Sequence, residues 1–443
     1  MNKKILIFAI TLIFVLPGIS INSVGLSDNQ SVLNSNSLEE YVIEGVPYKP
    51  QKDFGCLYAS LDMLFAYHGK ESSLEKNLFF SGVGYSYFYK WKFEGFKTRP
   101  ISNDPHLFNF FTSLHACQGI EDFAYIGESY GLKMNVSYPE NIVFNDFKYW
   151  NEWFSKVKDY VKSDRPVVTG IDACAWPIYL EIFNLTKPML AHGGHAIIIV
   201  GFNEENKTIC VQDPMAGAEK WSNPDRVGYQ WISFFDFKRA MRRSHWEFSE
   251  NSYWFIAVEE VTETPDFDDA FKMAHDRNIE RLKGNKSLYD DIFLDDFDKF
   301  GIEAFKTLKE DFNSYKFFMM YPFYRILAKI TGPVENALPL GWVSGWYIYE
   351  AKVLDNMSIF LNEMKLDLTD DNLTEICDYE SALFKNASEK FYLLVNETRK
   401  LQDILYSKTV FGAFLESKSI LNEIVDILDD IIQIQEDIME GPD

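Results

Sequence analysis

The chain has 443 residues, 47% hydrophobic and 16% aromatic, which excludes a disordered or low-complexity protein because it supplies the apolar surface that folding requires. Lys and Arg number 43 against 66 Asp and Glu, a formal net charge of −23. This argues against a nucleic-acid backbone or an anionic membrane surface as partner and favours a neutral or cationic substrate.

In chain order, Lys3 and Lys4 precede an apolar run from Ile5 to Leu16 that Pro17 and Gly18 close. A basic start, a short apolar core and small residues at Gly18 and Ser20, or at Ser23 and Gly25, read as a signal peptide over residues 1–25. The run is short of the roughly 20 residues of a spanning helix, and retention as an N-terminal membrane anchor is the alternative. The expected location is secreted or extracytoplasmic. Residues 26–40, rich in Ser and Asn, read as a flexible leader. Asn-x-Ser/Thr sequons at Asn29, Asn135, Asn184, Asn206, Asn285, Asn356, Asn372, Asn386 and Asn396 are compatible with a glycosylated surface. The five cysteines, Cys56, Cys117, Cys174, Cys210 and Cys377, are too few for a disulfide scaffold. Their odd number leaves at least one thiol without an intramolecular partner in an oxidising compartment.

From 41 to 261, short β-rich runs (Val167 to Ile171, Ala196 to Phe202, Tyr253 to Val258) alternate with helical patterns, which predicts an α+β domain. The stretch Thr262 to Asp269 interrupts this pattern. Residues 270–443 are of helical period, with amphipathic stretches at Ile302 to Lys316, Ala351 to Met364 and Ser381 to Tyr406, and read as an all-α bundle. Gly332, Pro333, Pro339, Gly341 and Gly345 predict a break within it. Near the end, Leu421, Ile424, Leu428, Ile431 and Ile438, with Gln435 in the remaining slot, form a short heptad seam. It fits a terminal helix packed on its own bundle, or a homodimer through that helix.

Leu57, Leu61, Leu64 and Phe65 recur at helical spacing and Gly69 stops the pattern, so Cys56 sits at a helix N-terminus. Unsatisfied N–H groups and the helix dipole there favour a thiolate nucleophile; a buried small hydrophobe is the other reading. Cys174 is a competing nucleophile. Gly194-His195 through Phe202, a polar turn, and Thr208 through Asp213 read as a β-hairpin. With Phe202 opposite Asn206, His195 lies opposite Asp213; a register shift of two makes them diagonal neighbours on the same face. In both registers a carboxylate meets an imidazole and leaves its other nitrogen to take a thiol proton. His192-x-x-His195 lacks the further ligands of a metal site, no phosphate or dinucleotide loop is evident, and no cofactor is expected.

Pro-Tyr-Lys-Pro-Gln51 leading to Gly-Cys56, a helix ending Tyr67-His68-Gly69, and Gly-His195-Ala-Ile-Ile-Ile-Val-Gly-Phe followed by Val-Gln-Asp213-Pro together resemble the C39-like branch of papain-fold cysteine peptidases. Glu75 to Gly84 and Arg165 to Asp172 resemble, more narrowly, the group of the N-terminal domain of butirosin biosynthesis protein H. The resemblance implies a papain-like cysteine protease fold, an N-terminal helix carrying Cys beside an antiparallel sheet carrying His and Asp, and then the helical domain. It also implies Cys56 as nucleophile, His195 as general base, Asp213 as orienter and Gln51 as oxyanion donor. Leu57-Tyr58 stand where small residues are common in that family. The expected function is an exported thiol hydrolase acting on a peptide or amide bond. Acyl transfer to an amine through the same thioester, or a retired enzyme scaffold used for binding, are the alternatives. Gln51 lies in a polar stretch expected to be a surface loop.

Overall fold

The computed structural model describes residues 39–52, 55–89, 120–137, 146–184, 186, 194–219, 223–244, 253–288, 299–314, 339–407 and 410–442. The expected signal segment, most of the leader, Cys117, His192, Gly332 and Pro333 lie outside the described residues. Glu39–Asp443 form one compact unit. Among the described residues no helix is long and apolar enough to cross a membrane.

The first part of that unit comprises β1 (Glu40–Val42), α1 (Cys56–Tyr67), α2 (Leu74–Ser81), β2 (Phe88–Tyr89), α3 (Ile120–Ser129), β3 (Leu132–Ser137), α4 (Asp146–Lys162), β4 (Val167–Asp172), α5 (Pro177–Ile182), β5 (Gly194–Asn203), β6 (Thr208–Gln212), β7 (Gln230–Ser233), α6 (Phe234–Ser244) and β8 (Phe255–Val261). Seven of these strands make one antiparallel sheet, six of them in the order β3-β8-β4-β5-β6-β7 and β1 beside β5. β1 pairs with β5 at Gly201 to Asn203, just beyond the stretch that β4 occupies. The central strand β5 is buried from His195 to Asn203 and β4 along its whole length, so their runs of Ile and Val read as continuous rather than alternating. A strand reads this way when both faces of its sheet are covered. Helices α1, α4 and α6 all pack on the sheet.

The chain continues through α7 (Phe267–Leu282), β9 (Lys299–Phe300), α8 (Ile302–Asn313), α9 (Pro339–Met364), α10 (Asp371–Ser407) and α11 (Val410–Glu440). Asp266 caps α7 by accepting from the Asp268 N–H at 3.0 Å. The long helices run antiparallel. Ser388 Oγ donates to Ala351 O and Lys385 reaches Asp355 across α9 and α10, while Lys390 reaches Asp430 across α10 and α11. The heptad positions Leu421, Ile424, Leu428, Ile431, Gln435 and Ile438 are all buried inside this chain.

Two expectations change here. α9 begins at Pro339 and passes through Gly341 and Gly345 without a break. Proline is tolerated in a first turn and a helical glycine costs only about 1 kcal/mol, which a long helix absorbs. α10 starts ten residues before Ser381, at Asp371.

The helical part grips the first part through buried polar groups. Arg281 forms an ion pair with Asp122, and each is 1% exposed; Arg277 Nη2 lies 2.7 Å from the same carboxylate. Arg281 also donates to Ser81 O at 2.6 Å, and Asn278 to Phe79 O at 2.9 Å. On α10, Glu380 accepts from Tyr85 Oη at 2.6 Å and lies 2.8 Å from His275 Nε2 of α7. Phe79 stacks on Phe271 with ring centroids 4.8 Å apart. Tyr85, Tyr87 and Tyr89, which follow α2, are buried in the same way.

Candidate active site

Cys56 is the first residue of α1. Gly55 precedes it, and no side chain caps this end, which leaves the first N–H groups available to a ligand. A Cβ at Gly55 would meet Leu74 Cδ1 at 2.9 Å and Lys52 O at 3.0 Å, so glycine lets α2 and the preceding loop close on the nucleophile end. Leu61, Met63, Leu64 and Phe65 are fully buried and anchor the helix. Cys56 stays partly exposed, whereas Cys174, Cys210 and Cys377 are buried.

His195 lies near the start of β5 and Asp213 directly after β6. The turn from Glu204 to Lys207 is pinned by the Asn206 N–H, which donates to Asn203 Oδ1 at 2.7 Å. Next to it, Asn203 faces Thr208, Phe202 faces Ile209 and Gly201 faces Cys210. Continued unbroken, that register would set Asp213 opposite Ile198, on the sheet face away from His195. The register instead shifts by one between Ile199 and Gly201, so that Ile199 faces Val211 and Ile198 faces Gln212. Asp213 then follows opposite Ile197, on the face of His195 and diagonal to it. This is the second of the two registers that the sequence allows. The bulge is held by Ile43 N–H, which donates to Val200 O at 2.7 Å. It also requires glycine beside it: a Cβ on Gly201 would stand 2.5 Å from Tyr41 O.

His195 Nε2 lies 2.8 Å from Asp213 Oδ1, with side-chain exposures of 2% and 0%. Two more donors reach the carboxylate, Trp176 Nε1 to Oδ2 at 2.7 Å and the Met215 N–H to Oδ1 at 2.8 Å. The Cys56 side chain is within hydrogen-bond reach of His195. Because Asp213 occupies Nε2, the ring nitrogen left for the thiol is Nδ1. Burial disfavours the charged ring, but the Asp213 charge, the Asp213 hydrogen bond and the Cys56 contact outweigh it and raise the His195 pKa to about 10. This imidazole therefore holds a proton firmly, as a base facing a thiol must.

The segment before α1 is stitched to the turn after β6. Gln212 Nε2 donates to Val46 O at 2.8 Å, and Tyr48 Oη donates to Asp213 O at 2.9 Å. The Gly217 N–H donates to Tyr48 Oη at 2.7 Å, and the Gln51 N–H to Pro214 O at 2.9 Å. Gln51 is consequently 5% exposed, which corrects the expectation of a surface loop: the polar stretch is drawn under the Asp213 turn by its backbone. The structure thus brings Cys56, His195 and Asp213 together and ties the Gln51 backbone next to them. Cys174, the rival nucleophile, is 6% exposed and has its N–H capped by Asp172 Oδ1 at 2.9 Å; of the two thiols, it is Cys56 that acts on the His195 ring. The sequence reading passed over Trp176 and Tyr48. Trp176 precedes a proline that opens a helix and Tyr48 sits among the residues leading to Gln51, but nothing local marks either as a partner of Asp213.

A partly exposed thiol at a helix start beside a buried His–Asp pair belongs to cysteine-peptidase-type chemistry. Residues 43–235 match the model of the Peptidase_C39 like family. The matched stretch contains Gln51, Cys56, His195 and Asp213 and supports an enzyme of cysteine-peptidase type; β8 and the helical bundle lie beyond it. No curated protein matches the chain.

Proposed function

We propose that the protein is an exported thiol hydrolase of papain-like fold that cleaves a peptide or amide bond. The observation that carries this reading is the contact chain Cys56–His195–Asp213, in which the carboxylate holds one ring nitrogen and leaves the other for the thiol. His195 takes the Cys56 proton through Nδ1, and Sγ attacks the substrate carbonyl. The oxyanion is met by the Cys56 N–H and the Gln51 amide. His195 then protonates the leaving amine, and water, activated by the same ring, hydrolyses the thioester. Each step uses side chains of residues 41–261, a catalytic part followed by the bundle of 270–443. An export signal over residues 1–25, removed or kept as an anchor, accords with a free thiol in an odd set of five cysteines.

The test is labelling with a thiol-reactive active-site probe and mapping of the labelled peptide. Fast labelling of Cys56 in the native protein, lost in Cys56→Ser and slowed in Asp213→Asn, supports the reading. Equal labelling of Cys56→Ser overturns it. A labelled amide substrate separates the two outcomes of the thioester: free acid marks hydrolysis, and a new amide formed only with an added amine marks acyl transfer.

A further inference from the structure

The Asp213 carboxylate is held from three sides by neutral or switchable donors. Its side-chain oxygens are bonded by His195 Nε2, the Met215 N–H and the Trp176 indole, and Oδ2 has Trp176 as its donor among the described residues. Trp176 is itself seated firmly. The Asp172 side chain accepts from the Cys174 N–H and fixes the turn before it, and the Trp176 N–H donates to Ala173 O at 3.0 Å. Pro177 then starts α5, and the indole, fully buried, meets the Phe237 ring edge-on at 5.6 Å. Such a ring has no freedom to follow its acceptor, so the acceptor must conform to the ring.

We propose that Trp176 is a positioning residue of the thiol site: its indole N–H fixes the outer oxygen of Asp213, which keeps that carboxylate aimed at His195. The proposal rests on the thiol-hydrolase reading above. A fully buried carboxylate that loses one of three donors has an unsatisfied oxygen, and it turns to find another partner. An Asp213 turned out of line no longer supports the imidazolium, and the proton that His195 takes from Cys56 is then held less firmly. Trp176 therefore acts through Asp213 on the Cys56–His195 pair.

The experiment is the pH–rate profile of Cys56 alkylation by iodoacetamide, read by peptide mapping so that the other cysteines do not interfere. Trp176→Phe keeps a ring against Phe237 and removes the donor. Its acid limb should move up by about one pH unit, so that alkylation at pH ~6 falls about tenfold. In an Asp213→Asn background the same change should matter less than about twofold, because the charge it serves is gone. An unchanged profile, or the same loss in both backgrounds, overturns the proposal. Should Trp176→Phe fail to fold, the assigned indole N–H resonance of the native protein decides: it should shift as the pair ionises, and a resonance constant through that transition overturns the proposal. If native Cys56 is not selectively alkylated at all, it is the thiol-hydrolase reading that fails; selective alkylation with an unaltered Trp176→Phe profile sinks the Trp176 assignment alone.

Discussion

Around His195 the protein buries polar groups and joins several of them to partners remote in sequence: Gln212 with Val46, Tyr48 with Asp213, Trp176 with Asp213. Between α9 and α11 it mostly buries apolar side chains delivered at helical spacing, and many of its charges meet on the outer face, as in Lys385–Asp355 and Lys390–Asp430. The first region gains geometry from many mutually dependent contacts. The second gains stability from repetition, and its half-exposed ion pairs are worth little each. Where the two regions meet, the logic is that of the first: Arg281 pairs with Asp122 and Tyr85 with Glu380, all buried and remote in sequence.

Four measurements break or sharpen this contrast. The largest effect is expected at the site, where the groups act as a unit. Asp213→Asn should lower turnover by about 10⁴, and adding Cys56→Ala or His195→Ala should not multiply the losses; independent, additive effects would dissolve the unit.

Next, Arg281→Met removes one of the two cations that meet the buried Asp122 carboxylate among the described residues, and should cost about 3–5 kcal/mol in chemical denaturation. A loss below about 1 kcal/mol would place the junction with the surface pairs of the bundle instead.

Gln51→Ala should reduce kcat by roughly 10²–10³ with KM little changed. Because Gln51 is buried and tied in by its backbone, a stability loss of about 1 kcal/mol should accompany it. A loss of several kcal/mol with turnover near wild type would make Gln51 structural.

The smallest effect concerns pH. Burial opposes a charge on His275, but the Glu380 charge and hydrogen bond prevail, and its pKa is raised. Asp276 adds in the same direction, and Tyr85 shares the carboxylate. The resulting stability is fully present below the unfolded histidine value of about 6.5 and is lost as pH rises through the raised folded value. His275→Gln should flatten the melting temperature over that window. The His195 contribution, lost as pH rises through about 10, is common to both proteins and cancels. A wild-type slope surviving in His275→Gln would exclude the pair as its source.

Much of the frame was legible in the sequence because it is local. Gly55 before apolar residues at helical spacing sets a helix starting at Cys56, and the runs about Ala196 and Thr208 set a hairpin. Gly341 and Gly345 misled because breaker propensity is a weak term against a long packed helix. The polar text around Gln51 misled because its hydrogen bonds lead to a turn more than 160 residues away.

The sequence by itself determined which elements form and where on them the reactive residue types sit: a thiol at a helix start, an imidazole and a carboxylate at the far ends of paired strands, and a helical second half. Periodicity and turn chemistry act over a few residues and leave their mark in the text. Only the tertiary structure decided that Asp213 shares a face with His195, because the parity rests on a bulge at Val200 held by Ile43 and on a glycine that admits β1. It alone decided that Gln51 is buried and that Trp176 reaches Asp213. These outcomes depend on packing between segments that no local pattern connects, and a register error of a single residue would have turned the carboxylate away.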